Sequence, residues 1–195
     1  PYPLSRMMFD DIRKCALRVI VYKKRVAVEF FHALTDGSGG LVFLKTLLKE
    51  YISEKYNVTV PEGYGMLNVL DEPTPAELED SFLRYAGEYP ASRRESTAFH
   101  LKGEKEPDGY LHLTCFTLPV GEVLAKAHEY NVSLTVFIAA VMMQAFQRMQ
   151  AELVPNVKKR KSIKVLLPIN LRSIFESRTL RNFALYTTPE IETRL

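Results

Sequence analysis

One short segment of the chain holds residue types that could carry acid–base chemistry. In the run HALTDG, at positions 32–37, His32 is followed by Asp36 and then by a glycine. An ordinary imidazole has a pKa of about 6.5, so it is mostly unprotonated at neutral pH and can accept a proton from a substrate. The run therefore predicts a general base at His32. The alternative is a structural histidine whose ring is satisfied by contacts in the core.

The sequence around His32 predicts the elements that would position it. Residues 26–31, VAVEFF, have the composition of a strand, and residues 41–48, LVFLKTLL, have helical periodicity. His32 thus lies where a strand ends and a helix is about to begin. From such a junction a side chain can reach into a cleft while regular elements hold its backbone. Asp36 or Ser38 is expected to cap the helix.

Three glycines lie beside the histidine. Gly37, Gly39 and Gly40 carry no side chains, so a substrate could approach the backbone here, and amides at the helix N-terminus could face a polarised oxygen. They therefore predict a substrate or oxyanion loop. A phosphate-binding loop is the alternative, but the Lys-Ser/Thr ending of such loops is missing.

Hydrophobic periodicity predicts a mixture of helices and strands along the rest of the chain, and hence an α/β or α+β fold. The predicted elements are strands at 15–22 and 25–31 forming a hairpin, a helix ending near Tyr56, a short helix at 74–86, a strand at 110–118, helices at 119–130 and 134–153, and strands at 162–168 and 182–188. The helix at 134–153 has little polar face, so we expect it to be largely buried.

Composition indicates an ordinary soluble domain. The chain has 195 residues, enough for a core that needs no covalent staples. Cys15 and Cys115 are too few for a disulfide framework, so we expect two buried thiols and a reducing compartment, the cytoplasm. The net charge is only +3, and the one dense basic run, at 158–161, contains no aromatic residue. We interpret that run as a solvated loop and expect no nucleic-acid partner.

The sequence also argues against a membrane span and a metal site. No apolar run approaches the roughly 20 residues needed to cross a bilayer, and the first residues do not resemble a signal peptide. His100, His112 and His128 are scattered and have no partner at metal-ligand spacing, so no metal is expected.

The segment FHALTDG, at 31–37, resembles the HxxxDG motif of the chloramphenicol acetyltransferase-like superfamily, which includes nonribosomal-peptide condensation domains and alcohol O-acyltransferases. The C-terminal half strengthens the resemblance. An apolar helix beginning SLT at 133–135 and a strand ending PINLR at 168–172 follow in the order of the second subdomain of condensation-like proteins. The resemblance implies a CoA-dependent acyltransferase-like mixed sheet with flanking helices. Residues 1–95 would end the N-terminal subdomain, and 96–195 would begin a truncated C-terminal one.

The resemblance also implies roles for individual residues. His32 would take a proton from an acceptor hydroxyl as that hydroxyl attacks an acyl thioester of coenzyme A or of an acyl-carrier pantetheine. Asp36 would turn away from the substrate and form a salt bridge with Arg172, which is compatible with Asp36 also capping the helix. No cofactor would be bound permanently, because acyl-CoA or acyl-pantetheine is a co-substrate, and the acyl group expected is acetyl.

Two departures from the family pattern refine this expectation. Phe31 stands where condensation domains carry the first of two histidines, which favours acyl transfer to a hydroxyl and leaves amide formation open. The family's DFGWG motif is absent, and the chain has no Trp. We therefore expect the remainder of the same polypeptide to be missing here and the chain alone to be inactive. The alternatives are a non-catalytic condensation-like domain that binds a carrier or acts as a scaffold, and an amide-forming condensation domain.

Overall fold

The computed structural model describes residues 4–63, 65–87, 96–107 and 110–192, and these form helices and small sheets of an α+β type. The helices are α1 (Phe9–Lys14), α2 (Gly37–Tyr56), α3 (Pro75–Leu78), α4 (Ser81–Tyr85), α5 (Val120–Glu129), α6 (Leu134–Leu153) and α7 (Arg172–Phe175), with a 3-10 turn at Val157–Lys159. The strands are β1 (Leu17–Tyr22), β2 (Arg25–Phe30), β3 (Ile163–Lys164), β4 (Leu167–Asn170), β5 (Ala184–Thr187) and β6 (Glu190–Ile191). They make three two-stranded sheets, which are β1 with β2, β3 with β6, and β4 with β5.

The chain forms two compact units. The first contains Pro1–Glu88, Pro107–Leu111 and Ile169–Leu185, and the second contains Tyr89–Glu106, His112–Pro168 and Tyr186–Leu195. The family subdomains at 1–95 and 96–195 stay a prediction.

In the first unit, the predicted hairpin and helix are confirmed. β1 and β2 are antiparallel, and Lys23 adopts a left-handed φ of 52° in the tight turn between them. Asp36 caps α2, because its side chain accepts hydrogen bonds from the first backbone amides of the helix. Asn57 ends α2 in the left-handed conformation that commonly closes a helix.

The core of the first unit is aromatic. Phe183 is only 1% exposed, and its ring lies 5.1 Å from Phe82, 5.9 Å from Tyr85 and 6.0 Å from Phe175, measured between centroids. Burying one such side chain contributes about 1.5–3 kcal/mol. This cluster anchors the segment Ile169–Leu185 in the first unit.

The second unit is built around α6. Its predicted bounds are confirmed, and Ser133 accepts a hydrogen bond from the amide of Val136 as predicted for the N-cap. Met143 packs with Ile163 and Val165 in a small apolar core. Gln150 is buried and exchanges two hydrogen bonds with the backbone of Lys161, which ties α6 to the chain leading into β3.

The expectation that this helix is largely buried is wrong. Only Ala139, Met143 and Gln150 are buried, whereas apolar side chains such as Val136 and Val141 are about half exposed. The reason is that α6 packs on α5 and β3, which cover one side of it. Among the described residues, no single helix is long and apolar enough to cross a membrane. Only α5 and α6 taken together have that length and composition, and they are bent by 84°.

The predicted strand at 110–118 is also absent, and both cysteines are exposed rather than buried. Within the described residues no strand pairs with this segment, and β-forming residues need a neighbouring strand to make regular structure. Cys115 lies in this segment, which forms no strand, and Cys15 lies at the C-terminus of α1.

Two predicted elements are divided in the structure. The helix expected at 74–86 is two short helices, because the side chain of Asp80 accepts from the amide of Phe82 and so begins a new helix. The first of them starts at Thr74 with a reciprocal cap to Glu77. The strand expected at 162–168 is split between β3 and β4.

Replacing Gly40 by Ala should reduce the free energy of unfolding by about 1–3 kcal/mol, because the new Cβ would lie 2.3 Å from the ring of Phe30. Gly37→Ala is the matched control, since nothing lies within 4 Å of the Cβ that it would add. We expect that variant to be at least as stable as the wild type, because Ala favours helix more than Gly does. Urea denaturation tests the contrast. Equal stability of the two variants would show that Gly40 is not needed for packing α2 on β2.

Candidate active site

The structure places His32 just beyond the end of β2, in a turn before α2. The ring of His32 is exposed, and its centroid lies 6.3 Å from that of Phe30, the last residue of the strand. The backbone on either side is held, because the amide of Phe31 donates to Ala16 and the amide of Leu34 donates to Phe31. An imidazole on a fixed backbone is therefore open to solvent.

Asp36 has the opposite environment. Only 3% of the residue is exposed, and its carboxylate accepts four hydrogen bonds. Oδ1 accepts from the amides of Ser38 and Gly39, at 3.0 and 3.2 Å. Oδ2 accepts from the amide of Phe183 at 2.8 Å and from Nη1 of Arg172 at 2.7 Å. In the part of the chain that the structure describes, the imidazole is not among these donors.

Arg172 completes the ion pair that the resemblance implies. Its guanidinium donates through Nε to the carbonyl of Thr179 at 2.7 Å and through Nη2 to that of Arg181 at 2.5 Å. Nη1 contacts Asp36 and, at 3.2 Å, the side chain of Asn170. The side chains of Asp36 and Arg172 are 5% and 14% exposed. The pair therefore joins the start of α2 to the segment 170–183.

The charge of Asp36 is stabilised in place. Burial by itself raises the pKa of this carboxyl, but hydrogen bonds from Arg172, Phe183 and Gly39 outweigh it and hold the pKa below its ordinary value of 3.8. Near neutral pH this carboxylate is therefore ionised. Its role is to stabilise the fold through the ion pair with Arg172, and it is not placed to transfer protons.

The glycines are less open than the sequence suggests. Gly37 is exposed, but Gly39 and Gly40 are buried. A Cβ on Gly39 would lie 2.4 Å from the carbonyl oxygen of Leu180. The amides of Ser38 and Gly39 already donate to Asp36, so Gly39 and Gly40 serve packing, and the predicted loop role rests on Gly37.

Asn182 is a site residue that the sequence did not reveal. Its Nδ2 lies 3.1 Å from the backbone oxygen of His32 and 3.3 Å from Nδ1 of the same residue. The two residues are 150 positions apart, and the only sequence signal at Asn182 is the start of a predicted strand. Nothing local in the chain links it to His32.

A cavity of about 520 Å³ borders the ion pair. Arg172 and Gly39 line it, and Lys45 and Arg178 make its wall partly cationic. His32 is not among the lining residues, so the cleft expected around His32 is not this cavity.

Among the described residues, no group of three His, Cys, Asp or Glu side chains is placed to hold a metal ion. Comparison of the chain with protein-family models, with curated proteins and with solved structures finds no match. The family resemblance therefore stays a prediction, and any function must be argued from the site itself.

Asp36→Ala should lower the free energy of unfolding by about 3–5 kcal/mol, because it leaves the guanidinium of Arg172 buried and unpaired. Asp71→Ala makes the same change at an exposed position of the first unit and should alter stability by less than about 0.5 kcal/mol. Chemical denaturation of both variants measures the difference. A loss for Asp36→Ala as small as that for Asp71→Ala would mean that the ion pair does not support the fold.

The stabilising effect of Asp36 should depend on pH in one direction. Since folding lowers the pKa of this carboxyl, its contribution is complete above the ordinary value of 3.8 and is lost as the pH falls through the lower folded value. The stability difference between the wild type and Asp36→Asn should therefore shrink on acidification below 3.8. Urea denaturation at several pH values checks this, and a difference that grows in acid would contradict it.

Proposed function

We propose that this chain carries the catalytic histidine of an acyltransferase with a fold of the CoA-dependent acyltransferase type. One observation carries the proposal. An exposed imidazole at the end of β2 is followed, four residues on, by a carboxylate that is turned into the protein and paired with Arg172. This is the arrangement that the resemblance implies for an HxxxD motif, with the histidine left to do the chemistry.

In the proposed reaction His32 acts as the general base. The unprotonated ring nitrogen takes the proton of the acceptor hydroxyl while the hydroxyl oxygen attacks the carbonyl carbon of the thioester. The tetrahedral intermediate then collapses, the C–S bond breaks, and the imidazolium returns its proton to the leaving sulfur. The products are an ester and a free thiol, and the imidazole is regenerated. Such catalysis contributes typically 10²- to 10⁴-fold to the rate.

The partners follow from the same chemistry. The donor is acyl-CoA or an acyl-carrier pantetheine, with acetyl the group proposed, and the acceptor is a small molecule with a hydroxyl. Phe31 beside His32 supports a hydroxyl acceptor rather than the amine of a condensation reaction. The cavity next to Arg172 is not assigned to either substrate, because His32 does not line it.

The natural polypeptide that contains this sequence should release free thiol from acetyl-CoA when a suitable alcohol is supplied. His32→Ala should abolish the release without unfolding the protein, because an exposed ring contributes little to the core. His128→Ala removes another exposed imidazole, in α5, and should leave the rate unchanged. The rate is followed with a thiol reagent over a panel of small alcohols and amines.

The exposed Cys15 and Cys115 would themselves react with that reagent. The assay is therefore run with both cysteines replaced by serine in every variant. Thiol release that is equal in the wild type and in His32→Ala would reject the proposal. Binding of acyl-CoA without any release would favour the non-catalytic alternative, a carrier-binding or scaffold domain.

A further inference from the structure

Another cavity, of about 440 Å³, lies within the second unit. Its lining brings together four basic side chains from two segments of the chain, which are His100, Lys102, Lys159 and Lys161. No aspartate or glutamate is among the described residues that line it. A wall that holds several cations and no acidic side chain creates a local positive potential, so it attracts an anion.

The basic run KKRK is divided between two roles. The guanidinium of Arg160 donates to the carbonyl of Val154 at 3.0 Å, which satisfies a backbone group that the end of α6 leaves unpaired. On either side of it in the chain, Lys159 and Lys161 line the cavity. Lys158 is not among the described residues of that lining. The run is therefore more than the solvated loop that its composition predicts.

Hydrogen bonds hold the backbone of the two basic segments. Gln150 is 1% exposed, and its side chain accepts from the amide of Lys161 at 2.7 Å and donates to the carbonyl of the same residue at 2.8 Å. The amide of Phe99 donates to the carbonyl of Ser162 at 2.9 Å, so the two segments lie side by side. The backbone that carries the basic side chains is thus fixed before a ligand arrives, which lowers the entropy cost of binding.

The rest of the lining is partly apolar. Phe99 and Leu153 border the same cavity, and Leu153 is 62% exposed although its side chain is large and apolar. The volume falls within the range of about 300–1,000 Å³ that is usual for small-molecule sites. A ligand that fits this lining has an anionic end and a carbon skeleton.

The number of lysines favours phosphate as the anionic end. A phosphate monoester carries about −1.5 to −2 charge at neutral pH and three terminal oxygens, whereas a carboxylate carries one charge and two oxygens. Each lysine ammonium offers three donors to such oxygens and acts on phosphate as a point charge. We propose that this cavity binds a small organic phosphate, with its phosphate on the three lysines and its carbon part against Phe99 and Leu153.

A nucleic acid is the competing occupant of a basic surface. Its phosphates follow one another along a groove, and bases commonly stack on aromatic side chains between the cations. The basic run at 158–161 contains no aromatic residue, and Phe99 packs against the apolar core of Met143, Ile163 and Val165. The lining therefore favours a single phosphate with a small carbon part.

Proton–nitrogen-15 correlation NMR of the full 195-residue chain, titrated with phenyl phosphate, tests the site. Low ionic strength is used, because the lysines are exposed and salt screens them. We expect the amide signals of Phe99 and Lys161 to shift until the site is saturated. Lys159→Met keeps an apolar stem and removes the charge, so it should weaken binding about fivefold or more. Lys158→Met makes the same change one residue away and should weaken it by less than about twofold.

Two further probes separate the parts of the ligand. Inorganic phosphate lacks the ring and benzoate lacks the second charge, so each should bind more weakly than phenyl phosphate and shift the same amides. Leu153→Ala should reduce the preference for phenyl phosphate over inorganic phosphate by about twofold or more, because it removes apolar contact area. The exposure of Leu153 makes this variant compatible with the native fold.

Three results would overturn the proposal. Equal weakening by Lys158→Met and Lys159→Met would mean that diffuse charge, and not the cavity, attracts the phosphate. A short oligouridylate that binds more tightly than phenyl phosphate, and that both variants weaken equally, would assign the basic run to nucleic acid. Unshifted amides at Phe99 and Lys161 in the wild type would reject the site without any variant. The titration uses no acyl donor, so its outcome is independent of the activity proposed for His32.

Discussion

The buried ion pair between Asp36 and Arg172 is the interaction on which the rest of the site depends. A buried pair offsets the loss of hydration only when its remaining donors and acceptors are also satisfied. Here the carboxylate accepts from the first amides of α2 and from Phe183, while the guanidinium donates to the carbonyls of Thr179 and Arg181. One charge pair thus begins a helix and holds a segment that is distant in sequence against it.

The same pair explains why the residues of one motif have such different roles. Every oxygen of Asp36 is engaged and its charge is stabilised, so it has nothing to offer a substrate. The turn between His32 and Asp36 contains Thr35, which is buried and donates a hydrogen bond to the carbonyl of Leu180. Because Leu180 lies so close to the start of α2, residue 39 must be glycine, since a side chain there would collide with the Leu180 carbonyl. The spacing between histidine and aspartate is therefore set by packing, and of the two residues only His32 is exposed.

Signals that are local in sequence predicted several of the elements correctly. The hairpin, the cap at Asp36 and both ends of α6 depend on neighbouring residues, and all of them agree with the structure. The failures are properties that depend on distant partners. The strand at 110–118 has strand composition but no neighbour among the described residues, and the thiol of Cys115 is exposed with it. The burial of α6 depends on what covers it, which periodicity cannot reveal. Arg172 was placed by resemblance to a motif, whereas Asn182 had no motif and was missed.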